Sequence, residues 1–231
     1  KPTTMYRLAT PKQRKFYNEF MYPWQDEIFA MIQSRKFYLT GGTCLSRFYY
    51  QHRYSDDLDF FFDGSQYSKQ TFETEVNQIN TRIRQQYRAE VLINDEYFKR
   101  IMVDKEDKKL KCEFIYEPTI SINQRPQCRN YEFLLDTKEN IIANKLCAIY
   151  SRKTFKDYID LMYLTKEFNL KQAIKWSEEK MMPMDYEGAV MTLIEGNLSG
   201  DLVMLHEIEN IDIENFVKEL TTKLIEYART L

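Results

Sequence analysis

Hydrophobic positions along the chain change their period several times, and the changes outline an architecture. Between Pro11 and Ser34 apolar residues recur at mixed three- and four-residue spacing, which predicts a helix or a helix pair. Lys36–Thr40 reads as a short strand stopped by Gly41-Gly42, and Thr43–Gln51 as a helix beginning directly after those glycines. Asp57–Phe62 predicts the next strand, closed by Asp63-Gly64, and Tyr67–Gln86 a helix. Three further strands are expected at Ala89–Asn94, Lys99–Asp104 and Lys109–Tyr116, the last two joined as a hairpin around the charged turn Lys105–Lys108. From Thr137 onward the pattern is helical almost to the end. The shift near Tyr131–Thr137 therefore divides an α/β part, residues 1–135, from a helical part, residues 136–231.

Composition narrows the class without naming a function. Of 231 residues, 43% are hydrophobic, enough for a folded core, and 15% are aromatic, so rings should dominate that core. No apolar run approaches the roughly 18 residues that a membrane span needs. Lys1–Thr10 lacks the charged-then-apolar layout of a secretory signal. Cys44, Cys112, Cys128 and Cys147 are scattered and form no CxxC pair, so reduced cysteines in cytoplasm are expected rather than a zinc cluster or disulfide framework. A net charge of -2 gives no global footprint for nucleic acid, which would have to meet a local patch such as Arg82–Arg88. Such a run is usually just a solvated helix face.

Three constellations carry candidate chemistry. Residues two apart on a strand share a face, so Asp57 and Asp59 project together while Leu58 and Phe60 face the core, and Asp56 takes the other side. Two such carboxylates repel unless a cation lies between them, and Mg²⁺ (or Mn²⁺) suits hard oxygen ligands that share it with substrate phosphates. Gly41 and Gly42 before a helix let backbone N–H groups approach a phosphate, with Thr43 and Ser46 in the first turns. Arg47 and Arg53 would add positive charge toward an NTP. Glu113, opposite the apolar stripe Leu110-Cys112-Phe114-Tyr116, reads either as a third carboxylate or as an exposed strand residue paired with Lys111. As a third carboxylate it would act as general base or second-metal ligand. Lys145 sits on a helical stripe with Ile142 and Ile149, and Asp157 and Asp160 share a face beside Leu161 and Leu164. Lys145 either meets a phosphate while the aspartates fix basic side chains or the nucleoside, or the three form an internal salt bridge between helices.

Taken together these residues resemble a family. "YLTGGTCLSRFYYQHRYSDDLDFFF" is similar to the GGT…R-x-S-x-D-(I/L)-D-F signature of the AbiEii/AbiGii-type nucleotidyltransferases, and "ENIIANKLCAIYSRKTFKDYIDLMYL" to their later K-L-x-A…R…D-x-x-D-L segment. The similarity runs from about Phe37 to Phe168. It implies an α/β (α+β) nucleotidyltransferase fold of the DNA polymerase β-like kind, with a mixed sheet core and a helical C-terminal region. It further implies transfer of NMP from an NTP to an acceptor hydroxyl by a type IV toxin–antitoxin or phage-defence toxin. A cognate antitoxin would be a partner, and RNA such as tRNA the acceptor. In that frame Gly41, Gly42 and Thr43 hold phosphate, Asp57 and Asp59 bind metal, and Lys145 and Asp157 complete the site. The sequence departs from the pattern at Cys44-Leu45-Ser46, where small aliphatics are commoner, and at Glu113, where Asp is frequent. Rival readings are a small-molecule or protein acceptor, or a degenerate nucleotide-binding module.

Overall fold

The computed structural model describes residues 6–149, 154–180, 185–195 and 200–230. They fall into two compact units interleaved along the chain. An α/β unit comprises Thr10–Tyr49 and Ser55–Thr137, and a helical unit comprises Lys1–Ala9, Tyr50–Tyr54 and Lys138–Leu231. A short strand, β1 (Arg7–Leu8), precedes α1 (Pro11–Phe16), which Thr10 starts with a reciprocal hydrogen-bonded cap to Gln13 and which has Pro11 in its first turn. The helix widens to π winding over Tyr17–Met21 and continues as α2 (Tyr22–Ala30). Then come β2 (Phe37–Leu39), a helix α3 (Gly41–Cys44) extended by π winding over Leu45–Tyr49, and β3 (Leu58–Asp63). An eighteen-residue α4 (Lys69–Gln86) is capped by Ser68 through the Thr71 N–H. β4 (Arg88–Asn94), β5 (Phe98–Lys105), β6 (Lys108–Glu117) and β7 (Leu134–Leu135) complete the α/β unit.

The sheet runs β4-β5-β6-β3-β2-β7. β3 lies parallel to β6 and antiparallel to β2, and β2 lies parallel to β7, so the sheet is mixed as the resemblance implied. β5 and β6 form the expected hairpin, with Glu106 at a positive φ of 54° in the turn. The period-two pattern explains the burial. Leu58, Phe60 and Phe62 of β3 and Cys112 and Phe114 of β6 are fully buried on one face. α4 covers that face with Phe72, Val76, Ile79 and Ile83, whose three- and four-residue spacing makes one apolar stripe. Rings dominate this core: Phe60 stacks on Phe114 at 5.9 Å, and Phe62 meets Phe72 at 5.4 Å. Each fully buried ring contributes roughly 1.5–3 kcal/mol, which rigidly fixes which face β3 turns outward.

The helical unit is built from α5 (Lys138–Ile149), α6 (Phe155–Leu164), α7 (Leu170–Lys180), α8 (Tyr186–Glu195) and α9 (Asn210–Ala228), with a strand β8 (Val203–Met204) between the last two. β8 pairs in parallel with β1 and bridges to Arg53, a small sheet that the helical pattern of this region does not announce. No helix among the described residues is long and apolar enough to cross a membrane. Cys44, Cys112, Cys128 and Cys147 are all buried. Within the Arg82–Arg88 run, Arg82 donates to the Met31 carbonyl at 3.0 Å and Arg88 lies 3.8 Å from Asp104.

Candidate active site

Because Leu58 and Phe60 are committed to the core, Asp59 emerges on the opposite face of β3, with Asp57 just before the strand. The approach to Asp57 is clamped. Thr43 donates its hydroxyl to the Asp57 carbonyl and lies 3.0 Å from the Ser55 hydroxyl. The buried Gln25 amide donates to the carbonyls of Ser55 and Asp56 at 3.0 and 2.9 Å. On the other side, the Thr40 N–H donates to the Asp59 carbonyl at 2.9 Å. The two aspartates therefore stand on a backbone fixed from both directions.

Gly41 backs onto this pair. Its φ is +67°, a conformation that a side chain strains, and a Cβ there would lie 2.9 Å from Asp59 Oδ2. Only glycine lets the start of α3 come so close to the carboxylate. Thr40, at the cap position, makes no side-chain cap bond; its hydroxyl donates instead to the buried Asp136 carboxylate at 2.6 Å. The first-turn N–H groups, which a helix leaves without intrahelical partners, are thus not capped by Thr40. Other expected nucleotide contacts are spent inside the fold. Thr43 is fully buried and Ser46 donates to the Gly42 carbonyl at 2.8 Å. Arg47 pairs with Asp26 at 2.7 Å and stacks over Tyr22 at 4.5 Å. Their side chains hold the helix in place instead of facing a triphosphate.

The register draws more charges into the row. Asp59 pairs with Glu113 across β3 and β6, and Glu113 with Arg100 across β6 and β5. Arg100 Nη2 lies 2.6 Å from Glu113 Oε1, and Lys111 Nζ lies 3.1 Å from Asp57 Oδ2 and 3.4 Å from Glu113 Oε1. Both readings of Glu113 meet here, since it pairs with Lys111 and also adjoins Asp59. Burial, then the charges of Glu113 and Asp57, push Asp59 up to about 6, against a smaller pull from Lys111. Burial also raises Glu113, but the Arg100 hydrogen bond and the charge of Lys111 outweigh it and leave Glu113 below the usual range. Lys111 is held above its ordinary value, since Asp57 and its acidic neighbours outweigh the cost of burial.

This chemistry fits a divalent cation, with a correction. Asp57 and Asp59 offer hard oxygens on one face, and the site already draws an ammonium between its carboxylates. Among the described residues, however, no three His, Cys, Asp or Glu side chains are gathered to hold a metal by themselves. Glu113 is engaged by Arg100 and Lys111, so the fit is to two aspartates completed by substrate oxygens.

The remaining expected residues meet in the helical unit. Lys145, buried on α5, lies 2.9 Å from Asp157 and 2.6 Å from Asp160 on α6. Arg53 grips both oxygens of Asp160 at 2.7 Å, and His52 Nε2 lies 2.7 Å from Asp160 Oδ1. Thr154 donates to Asp157. Burial opposes the charge on Asp160, but Arg53 and Lys145 overcome it and hold its carboxyl well below the usual range. Burial lowers His52 despite its bond to Asp160. The internal salt bridge foreseen for Lys145, Asp157 and Asp160 is therefore present, and Arg53 joins it; the guanidinium is spent here rather than displayed toward an NTP. The connection 150–153 within the second motif lies outside the described residues.

A family model described as the nucleotidyl transferase AbiEii toxin of type IV toxin–antitoxin systems matches residues 27–222. The chain belongs to the AbiEii nucleotidyl transferase toxin family. The matched span holds both AbiEii motif regions, the glycine-to-aspartate segment and the Lys145–Asp160 segment. An uncharacterised protein of Aquifex aeolicus is 28% identical over 163 residues, covering 68% of this chain and 72% of the relative. The fold is similar to JHP933 of Helicobacter pylori, with a TM-score of 0.56 at 20% identity over 91% of this chain and 94% of the other. It is also similar to MenT4, a nucleotidyltransferase toxin of Mycobacterium tuberculosis, with a TM-score of 0.57 at 14% identity over 89% and 82%. As an AbiEii member the chain is a nucleotidyltransferase.

Three residues of these clusters escape a reading of motifs. Arg100 had a signal: it alternates with Ile101 and Val103 and so must share a face with Glu113. His52 adjoins Arg53 but nothing in its spacing announces Asp160. Asp136, fully buried, is reached only through the β2–β7 pairing that brings it to Thr40.

Proposed function

We propose that the protein transfers a nucleoside monophosphate from an NTP to an acceptor hydroxyl at Asp57 and Asp59, with Mg²⁺ or Mn²⁺ held by that pair. The observation that carries this reading is the placement of Asp59 on the outward face of β3 and of Asp57 just before it, both on clamped backbone, with a glycine-started helix against Asp59. When bound there, a divalent cation would offset the triphosphate charge and act as Lewis acid on the phosphoryl group. The first-turn N–H groups at Gly41-Gly42 orient a phosphate, as helix starts do. The acceptor oxygen forms a bond to the α-phosphorus as the bond to the β-phosphate oxygen breaks, and pyrophosphate leaves. Glu113, kept ionised by Arg100 and Lys111, takes the hydroxyl proton, although those same cations limit its basicity.

RNA is the proposed acceptor, tRNA first, and a cognate antitoxin the proposed protein partner; both rest on membership in the toxin family. The test is transfer of α-³²P-labelled NTPs to total bacterial RNA with Mg²⁺, comparing wild type with Asp57→Ala. Label in a tRNA-sized band, lost in the variant, supports the reading. Metal-dependent NTP binding without labelled RNA would move the acceptor to a protein or small molecule. Absence of NTP binding would sink the proposal.

A further inference from the structure

Lys111 occupies a place that the chemistry of a carboxylate cluster reserves for a cation. It shares β6 with Glu113, two residues apart, while the intervening Cys112 is fully buried. That alternation leaves the ammonium on the Asp59 face, 3.1 Å from Asp57 Oδ2 and 3.4 Å from Glu113 Oε1. It thereby bridges the first and third carboxylates, as the second ion of a two-metal site would. Arg100 closes the other approach. Its Nε and Nη2 lie 2.8 and 2.6 Å from the same Glu113 oxygen, so that oxygen already accepts from a guanidinium fork. With Asp57, Asp59 and Glu113 ionised, Lys111 and Arg100 leave a single negative charge uncompensated, which one divalent ion more than neutralises.

We propose that Lys111 is the resident substitute for a second metal ion, and that with Arg100 it keeps Glu113 out of the metal shell, so that the site takes one divalent cation. The inference rests on the metal reading of Asp57 and Asp59 given above. Lys111 is in this account a positioning residue: it sets how many ions the site accepts and holds Glu113 where a substrate hydroxyl can reach it.

The test is a titration with Mn²⁺ alone, followed by the paramagnetic resonance signal of the free aquo ion, on wild type, Lys111→Met and Lys111→Arg. One tight Mn²⁺ per chain is expected in wild type and in Lys111→Arg, which keeps the charge. In Lys111→Met a second Mn²⁺ should bind at least about tenfold more tightly than any second ion does in wild type, since a like charge has been removed from beside it. Lys111→Gln serves the same purpose if the Met variant does not fold. Two tight ions in wild type, or a single ion in every variant, would overturn the inference and leave the metal reading standing. No tight ion in wild type would overturn the metal reading itself, and the inference with it.

Discussion

The α/β unit and the helical unit each gather acidic and basic side chains, yet the two clusters solve opposite problems. In the helical unit, Lys145 and Arg53 match Asp157 and Asp160, every one of them buried, and His52 supplies a further bond. This set is balanced, and it holds Asp160 ionised by supplying partners from its own chain. In the α/β unit three carboxylates face two cations, Asp59 is pushed up to about 6, and the row remains partly open, with the Asp57 side chain 36% exposed. A self-neutralised cluster stabilises a fold; an unbalanced one held on a rigid strand is stabilised by what it binds. Buried ion pairs add little net stability but are costly to break on one side, whereas surplus charge costs stability until a ligand compensates it.

The comparison is broken most sharply by Asp59→Asn. Losing the proposed metal ligand should remove several kcal/mol of transition-state stabilisation, a fall on the order of a thousandfold in transfer rate. Its melting temperature should not drop, because a like-charge repulsion is relieved; single-turnover kinetics and calorimetry check the two halves. Asp160→Ala should do the reverse as its main effect. It leaves Arg53 and Lys145 buried without their shared partner, at a cost of about 3–5 kcal/mol, read as a melting temperature lower by about 10 °C. An Asp160→Ala protein as stable as wild type would erase the distinction between the clusters.

Gly41→Ala sharpens the comparison from within the α/β unit. The positive φ costs about 1–2 kcal/mol for any side chain, and the new Cβ meets Asp59 Oδ2. Displacing that carboxylate should lower transfer roughly tenfold to a hundredfold, beyond what the stability loss explains. The smallest effect is a pH dependence in the helical unit. Below 6.5, its ordinary value, His52 in the unfolded chain takes up a proton that the folded residue resists, so stability falls as pH drops below that point. Asp160 has the same sign in a lower window: its contribution is complete above 3.8 and disappears only below it. Asp59, raised to about 6, contributes the opposite slope over the same range, so thermal unfolding between pH 7 and 5 should show the His52 slope as the difference between wild type and His52→Gln.

Legibility followed physical range. β3 and β6 were readable because alternation over Leu58–Phe62 and Leu110–Tyr116 is a local signal, and so was the facing of Asp57, Asp59 and Glu113. Helix starts were readable within about two residues: the glycines expected to precede a helix instead form its first turn. The partners were harder. Arg47 and Arg53 looked available to a triphosphate because nothing local shows Asp26 or Asp160 waiting for them. Asp26 lies 21 residues away and Asp160 lies 107 away, pairings that only the folded chain brings about. β7 and β8 are two residues each, too short to carry a period. The salt-bridge alternative for Lys145 was open from helical spacing alone, since an ammonium on an apolar stripe demands a partner but does not specify which.

The central claim is that a divalent cation belongs to Asp57 and Asp59 and to no part of the Lys145 cluster. Its most direct test is calorimetric unfolding of wild type, Asp57→Asn/Asp59→Asn and Asp160→Asn, each with and without saturating Mn²⁺. Binding to the folded state alone should raise stability by about 2.7 kcal/mol at a hundredfold excess over the dissociation constant. That shift is expected in wild type and in Asp160→Asn, from its lower starting point, and is expected to be absent in the double variant. An equal Mn²⁺ shift in the double variant, or a shift lost in Asp160→Asn instead, would contradict it.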